Sequence, residues 1–162
     1  MIYLPLPEGT YRYTQPFGVN RAKYAKYGYK GHNGVDIAPL LAGRQGVTVN
    51  APHEGYVKLG NEGKIGYGKY VEILSLPYNL DKTRRKSYLA HLDGFLVKDG
   101  QYVGSGDPIG VMGTTGDSTG IHVHWTYKIA DPDGNTLNKG NGYGGAIPIG
   151  PYTLRWINSV LG

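Results

Sequence analysis

The stretch Gly113–Trp125, GTTGDSTGIHVHW, decides how this chain is organised. Small, turn-forming residues occupy 116–120, and the residues that follow alternate between apolar and histidine side chains, as in a half-buried strand. On a strand, side chains at i and i+2 point to the same face, with Cα atoms about 6 to 7 Å apart. We therefore predict that His122 and His124 share one functional face, opposite the apolar residues. If a metal binds there, one histidine can ligate it while the other stays free for proton transfer.

The composition favours a single all-β domain. The chain has 162 residues, a length typical of one domain with a sizeable core. Its 27 Gly and 10 Pro predict many turns and few long helices. No apolar run is long enough to span a bilayer, and residues 1–10 lack the basic start and apolar middle of a signal peptide. We therefore expect a chain that does not span a membrane, whose export would need another route or a trimmed precursor.

The lack of cysteine and the net charge restrict the kinds of site and partner. Without cysteine there are no disulfides, thiolate metal sites or cysteine nucleophiles, so any metal must be held by histidine and carboxylate ligands. The 17 Lys+Arg against 12 Asp+Glu give a charge of +5, which indicates a polyanionic partner such as nucleic acid, an anionic membrane or an acidic cell-wall polymer. The basic cluster KTRRK at 82–86 is more typical of a solvated loop than of a binding site.

A second group of candidate ligands lies near the start of the chain, in GHNGVDIA at 31–38. His32 and Asp36 have a helical spacing, but Asn33-Gly34 is a strong turn signal, so we predict a turn followed by a strand. Together with a distant histidine, this pair offers nitrogen and carboxylate ligands that suit Zn²⁺. The spacing alone is common, so a chance match stays open.

Tyrosines and lysines alternate just before these candidate ligands, in RAKYAKYGYKG at 21–31. A short helix would fit this segment, but Gly28 and Gly31 favour a loop. Aromatic and cationic side chains together suit a sugar or peptide ligand, although tyrosine is also common at the base of loops.

The middle of the chain predicts short strands joined by turns. Residues 46–59 form two strands around a turn at 52–55, and Lys69–Leu74 forms a third. We expect a polar loop at 75–86 and a strand at 87–92, which completes a hairpin with a long tip.

Two histidines in this region have no role that the pattern alone can show. His53 lies in a turn beside Glu54 and is expected to be an exposed loop histidine. His91 stands between Ala90 and Leu92, so taken alone it is expected to be a buried core histidine.

The last part of the chain is rich in turns. Residues 96–112 predict short strands broken at 99–100 and 104–108, and 131–145 is a run of turns without the glutamate of a calcium-binding loop. Apolar residues at helical spacing in Tyr152–Leu161 predict a short closing helix.

Taken together and in order, the motifs resemble a known family. They are GHNGVDIA, VTVNAPHEGYV, GYGKYVEI, SYLAHLDGF and VKDGQYVGSGDPIGVMGTTGDSTGIHVHW. This series is similar to the lysostaphin-like, or LytM-type, zinc metallopeptidases of bacterial cell walls, from about Gln15 to Trp125. The resemblance implies one catalytic domain over 1–162, with a family-like core at about 15–130 and an extension at 131–162. The implied fold is all-β, with antiparallel sheets and a duplicated hybrid motif forming a groove, and a short C-terminal helix.

The resemblance also assigns roles to individual residues. His32, Asp36 and His124 match the three ligands of one Zn²⁺, whereas His91 and His122 match catalytic histidines. No glutamate stands where a thermolysin-type base would be, so proton transfer falls to these two histidines. The ordinary histidine pKa of about 6.5 suits that role.

The implied function is the zinc-dependent hydrolysis of peptide bonds in the stem peptides or cross-bridges of bacterial peptidoglycan. We expect a monomer that binds wall peptide rather than nucleic acid, with anionic wall polymers as further candidate partners. It would act outside the cell, in the cell envelope, or in a phage virion or phage lysis. Two alternatives stay open: a non-enzymatic module that binds the wall or activates other hydrolases, and a basic nucleic-acid or glycan binder that uses the tyrosines and KTRRK.

Two of the motifs depart from the usual family pattern. The loop before SYLAHL is longer and more basic than is typical, and it borders the groove in the family, so it bears on substrate preference. After His124 the strand reads WTYK where the family more often has an aromatic and then an acidic residue. We expect this change to lie on the far side from the metal.

Overall fold

The fold is an antiparallel β-sheet network, as predicted. A computed structural model describes residues 2–7, 9–78 and 80–150. Its strands are β1 (Tyr11–Gln15), β2 (Val35–Pro39), β3 (Thr48–Asn50), β4 (Gly55–Asn61), β5 (Lys69–Leu74), β6 (Arg84–Phe95), β7 (Tyr102–Val103), β8 (Pro108–Met112) and β9 (Val123–Ala130). The strand order is β1-β2-β9-β6-β5-β4-β7, and β8 pairs with both β3 and β6.

Strand β9 divides the core from the functional face. Its residues Val123, Trp125 and Tyr127 are fully buried and pack into the hydrophobic core with residues such as Leu89 of β6. Because side chains alternate along a strand, His124 and the residues at i+2 and i+4 point to the opposite face. The apolar alternation in the sequence therefore fixes which face of the sheet carries the histidines.

A β-bulge in β6 changes the direction of one histidine. Lys69 pairs with Leu92 and Val71 with Leu89, so Tyr70 alone faces two residues of β6. His91, one of those two, has a φ of 63°, in the left-handed region that L-residues rarely adopt. Simple alternation would send its side chain to the core, whereas the bulge turns it towards the other face.

Two segments differ from the sequence prediction. The segment expected to be a loop at 21–31 begins with a short helix, α1 (Arg21–Tyr24), and continues as a 3₁₀ turn (Ala25–Tyr27) that ends at Gly28 with a φ of 75°. Strand β6 starts at Arg84 rather than at Ser87, because the basic residues of the cluster pair with β9 and Lys86 is buried. The last three residues of the predicted loop, 84–86, are therefore part of the strand.

The C-terminal extension supports the loop in front of β2. Lys30 donates its backbone N–H to the carbonyl of Gly142, and the rings of Phe17 and Tyr143 lie 4.7 Å apart. A 3₁₀ turn (Lys139–Asn141) belongs to this extension, and the helix predicted at 152–161 lies outside the described residues. In the described ranges, no helix has the length and apolar character needed to cross a bilayer.

Candidate metal centre

Three predicted ligands converge at one end of the β2–β9 pairing. Asp36 of β2 lies directly across from His124 of β9, and His32 precedes β2 in the turn that Asn33-Gly34 predicts. The Nδ1 atom of His124 lies 2.9 Å from Asp36 Oδ1 and 2.8 Å from His32 Nε2, and the latter two atoms are 3.1 Å apart. All three residues are buried, and they form a His/Asp/His group of the kind that holds a metal ion.

Contacts outside this group orient both histidine rings. His32 donates from Nδ1 to the carbonyl of Pro16 at 3.0 Å, which leaves the lone pair of Nε2 facing inwards. The Nε2 atom of His124 lies 2.8 Å from Thr126 Oγ1, so its Nδ1 is the inward atom. Such outer contacts commonly hold the rings of metal-ligating histidines.

The protonation states also suit a cation. Burial alone would raise the pKa of Asp36, but its contacts with His124 and His32 outweigh burial and lower that pKa, so Asp36 is a carboxylate. Burial lowers the pKa of His124, which favours its neutral, ligating form.

The spacing of the three atoms fits a tetrahedral zinc site. Ligand atoms 2.0 to 2.2 Å from a zinc ion lie about 3.4 Å from one another. The observed separations of 2.8 to 3.1 Å need to open by only a few tenths of an ångström. Two nitrogens and one carboxylate oxygen are ligands that zinc accepts, and three protein ligands leave a fourth position for water or substrate.

Two further histidines stand beside this group. The rings of His91 and His122 lie 4.8 Å apart, and that of His91 lies 5.9 Å from His124. His91 donates from Nδ1 to the carbonyl of Thr115 at 2.7 Å, and His122 from Nδ1 to the carbonyl of Gly120 at 2.8 Å. Each therefore keeps Nε2 as a proton acceptor. Burial, with the neighbouring His124 and His122, lowers the pKa of His91 to about 3, so His91 is neutral near pH 7.

Four of the five residues, Asp36, His91, His122 and His124, line a groove of about 840 Å³, while His32 is fully buried. One wall is the predicted turn at 117–120, and the other carries Tyr24, Tyr27 and Tyr29 from the segment that mixes aromatic and cationic residues. Among the described residues between 75 and 86, none lines the groove. The expectation that the basic loop borders the groove therefore finds no support in this fold.

A contact that we call the clasp joins the two walls. Lys26 Nζ lies 2.7 Å from Asp117 Oδ2, and the hydroxyl of Tyr27 donates to the same oxygen at 2.6 Å. These residues are about ninety positions apart in the sequence, and Tyr27 and Asp117 both line the groove. The clasp therefore connects the loop before His32 with the loop before His122.

Two expectations about individual residues were wrong. Thr126 was expected on the far side from the metal, but alternation places it on the face of His124, which it contacts. His53 was expected to be an exposed loop histidine, yet only 1% of its surface is exposed. Its Nε2 lies 2.9 Å from the Oγ of Ser87, which is fully buried.

Tyr67 is a groove residue to which the sequence analysis gave no role. It lines the groove, and its ring lies 5.4 Å from that of His124. Its hydroxyl contacts Asn33 Nδ2 and Thr126 Oγ1. The i+2 spacing from His124 was the available signal for Thr126, whereas no local pattern points to Tyr67.

The chain is similar in sequence to proteins that act on the bacterial cell wall. The chain is 32% identical over 122 residues to the peptidoglycan DD-endopeptidase ShyA of Vibrio cholerae, covering 72% of this chain and 25% of that protein. It is 34% identical over 99 residues to the murein hydrolase activator NlpD of Salmonella typhimurium, covering 60% and 24%. The chain thus spans about a quarter of the length of these curated relatives.

The fold is also similar to that of the antimicrobial peptidase lysostaphin from Staphylococcus simulans. The TM-score is 0.64 at 22% identity, over 88% of this chain and 48% of that one. Residues 30–139 match the description "Peptidase family M23", which covers more than half of the chain. By sequence and fold, the chain belongs to peptidase family M23, the lysostaphin- or LytM-type group.

Proposed function

We propose that this chain is a zinc-dependent endopeptidase that hydrolyses peptide bonds in the stem peptides or cross-bridges of bacterial peptidoglycan, at or outside the cell envelope. One observation carries the proposal. The inward-facing atoms of His32, Asp36 and His124 converge where Asp36 and His124 line a groove, with His91 and His122 beside them. This arrangement combines a metal site with two groups for proton transfer.

The residues around the centre have distinct chemical tasks. When bound to three protein ligands, a zinc ion lowers the pKa of water and polarises a substrate carbonyl. His91 donates from Nδ1 to the Thr115 carbonyl and lines the groove, so its free Nε2 can take a proton from the attacking water. A protonated histidine can then stabilise the developing oxyanion or donate a proton to the leaving amine. His91 and His122 share these steps, because both face the same groove.

The substrate class rests on the relatives and the groove. A relative named a peptidoglycan DD-endopeptidase is 32% identical to the chain. The tyrosine wall offers flat, amphipathic surfaces against which a peptide can lie. We therefore place the scissile peptide between this wall and the turn at 117–120.

Digestion of peptidoglycans that differ in cross-bridge type tests the proposal. The zinc-loaded protein is expected to release peptide fragments, and mass spectrometry of the fragments identifies the bond. The His32→Ala and Asp36→Ala variants are expected to lose bound zinc and activity together, while Lys98→Gln, at an exposed lysine outside the groove lining, keeps both. A protein that binds less than about half an equivalent of zinc, with no gain on reconstitution, would overturn the enzyme assignment.

A second candidate function is the activation of another wall hydrolase. The similarity to a murein hydrolase activator favours it. It predicts that the protein stimulates a partner hydrolase without cutting peptidoglycan, and that His124→Ala leaves the stimulation intact. The enzyme assignment predicts direct fragment release that His124→Ala abolishes.

A further inference from the structure

The functional face of β9 continues beyond the metal centre. His124, Thr126 and Lys128 alternate along this strand, so their side chains share one face. Ala90, Tyr88 and Lys86 of β6 lie directly opposite them. At the usual rise of a strand, the Cα atom of Lys128 is about 13 Å from that of His124. Between them Thr126 is fully buried, and Lys128 lies outside the set of residues that line the groove.

Lys128 is a partly buried cation with no hydrogen-bond acceptor among the described residues. Its Nζ atom lies 5.0 Å from the centre of the Tyr88 ring, and the residue is neither fully exposed nor fully buried. Burial and the nearby Lys86 lower the pKa of Lys128 to about 8, so it is still mostly charged near pH 7. Three ammonium donors are therefore held at the surface of the sheet without an anion.

The surrounding charges increase the positive potential. Lys86 is the direct cross-strand partner of Lys128, and two like charges in such positions disfavour folding. Lys86 donates to the carbonyl of Gly134 at 2.7 Å and lies 3.6 Å from Glu72 Oε1. Lys139 adds a further positive charge, whereas the carboxylate of Glu72 acts on Lys128 in the opposite sense. Lys86 thus has protein partners, whereas in the described part of the chain the Lys128 ammonium contacts the Tyr88 ring and no carbonyl or carboxylate oxygen.

We propose that Lys128 forms an oxyanion subsite on the same sheet face, beyond the groove, which binds a carboxylate or phosphate group of the wall material being cleaved. Lys86 supports the site electrostatically, since its own donors already have protein partners. The carboxylate would belong to the substrate peptide and the phosphate to an anionic wall polymer. This inference rests on the proposed peptidase function. The carboxylate or phosphate would be recognised at a distance from the cleaved bond.

The test compares peptides that differ by one charge. Two synthetic stem-type peptides carry either a free carboxylate or a carboxamide at the same branch. Binding is measured by calorimetry in the His122→Ala variant, so that turnover does not interfere. We expect the free carboxylate to bind about 10-fold more tightly, the difference that one charge-assisted hydrogen bond gives. Lys128→Gln should abolish this preference, and the control Lys98→Gln should retain it.

A second arm separates the two sources of oxyanion. A poly(glycerol phosphate) oligomer is added as competitor. Competition that disappears in Lys128→Gln, without any carboxylate preference among peptides, supports the subsite and assigns it to a wall polymer.

The subsite is overturned if neither oxyanion binds in a manner that depends on Lys128. It is also overturned if Lys128→Gln lowers the Tm but leaves the carboxylate preference unchanged, since Lys128 would then only pack against Tyr88. Failure of the peptidase proposal looks different, because unmodified zinc-loaded protein would then release no fragments from any peptidoglycan. In that case the assignment of the bound oxyanion to a substrate falls as well.

Discussion

At the scale of single residues, Thr126 holds the inner ligand His124. The 2.8 Å contact between His124 Nε2 and Thr126 Oγ1 is buried, so it fixes the ring with Nδ1 directed to the metal centre. Thr126→Val keeps the shape but removes the oxygen, and we expect zinc to bind about 10- to 100-fold more weakly. Competition with a chelator measures this loss, and Thr126→Ser should restore the affinity. Equal zinc affinity in the valine variant would show that Thr126 has no part in orienting the ligand.

His91 and His122 should separate metal binding from turnover. Both rings donate from Nδ1 to a backbone carbonyl and stand outside the His/Asp/His group. We therefore expect His91→Ala and His122→Ala to bind about one zinc ion and to lose roughly 10²- to 10⁴-fold in kcat, the usual contribution of acid–base catalysis. Zinc analysis and peptidoglycan digestion check the two properties separately. A zinc-free His122→Ala protein would reverse the division of roles between His122 and His124.

At the scale of elements, strand alternation correctly predicted the face to which His122 and His124 point, but it gave the wrong face for His91. His122 and His124 lie on one face because no irregularity interrupts the alternation between them. Strand alternation in the sequence was therefore enough to predict that they share a face. His91 would point to the core by the same rule, and the bulge opposite Tyr70 turns it to the groove. A bulge depends on the register between two strands, which local sequence does not contain. The family resemblance, rather than periodicity, identified His91.

The clasp between the two groove walls predicts salt-dependent substrate binding. Asp117→Ala removes the oxygen that holds Lys26 and Tyr27, so the loops must be ordered by the substrate instead. We expect KM to rise by up to about fivefold, as for exposed ion pairs, with kcat nearly unchanged. Salt screens the contact, so the difference from the unmodified protein should shrink between about 0.05 and 0.5 M NaCl. A KM ratio that is independent of salt would rule out an electrostatic clasp.

At the scale of the whole molecule, the centre depends on pairings between distant parts of the chain. Asp36 and His124 are 88 residues apart, and they meet because β2 and β9 are neighbours in the sheet. The turn and strand around His32 and Asp36 were predictable from local sequence, but the neighbour of each strand was not. The burial of His53 was not predicted either, because it also depends on which strands are neighbours. Its turn carries the usual signals of exposure, yet the packing of the sheet encloses it.

The enclosed His53 should make the stability of the whole domain depend on pH. His53 donates from Nδ1 to the carbonyl of Glu54, accepts from the hydroxyl of Ser87, and is linked through Ser87 to Trp125 Nε1. This network holds the ring neutral, and burial lowers the pKa of His53 to about 4. In the unfolded chain its pKa is about 6.5.

The sign of the pH effect follows from these two pKa values. Between pH 6.5 and 4 the unfolded chain takes up a proton that the folded protein excludes, so the stability is fully present above about pH 6.5 and is lost as the pH falls towards 4. The difference between the two pKa values corresponds to about 3 kcal/mol in the free energy of unfolding. Denaturant unfolding at several pH values measures this loss, with zinc chelated so that loss of the metal does not contribute. His53→Gln cannot titrate, so its stability should fall by about 3 kcal/mol less than that of the unmodified protein between pH 7 and pH 4. Parallel pH curves for the two proteins would mean that the core accepts a charged His53, against the burial and the hydrogen bonds that surround it.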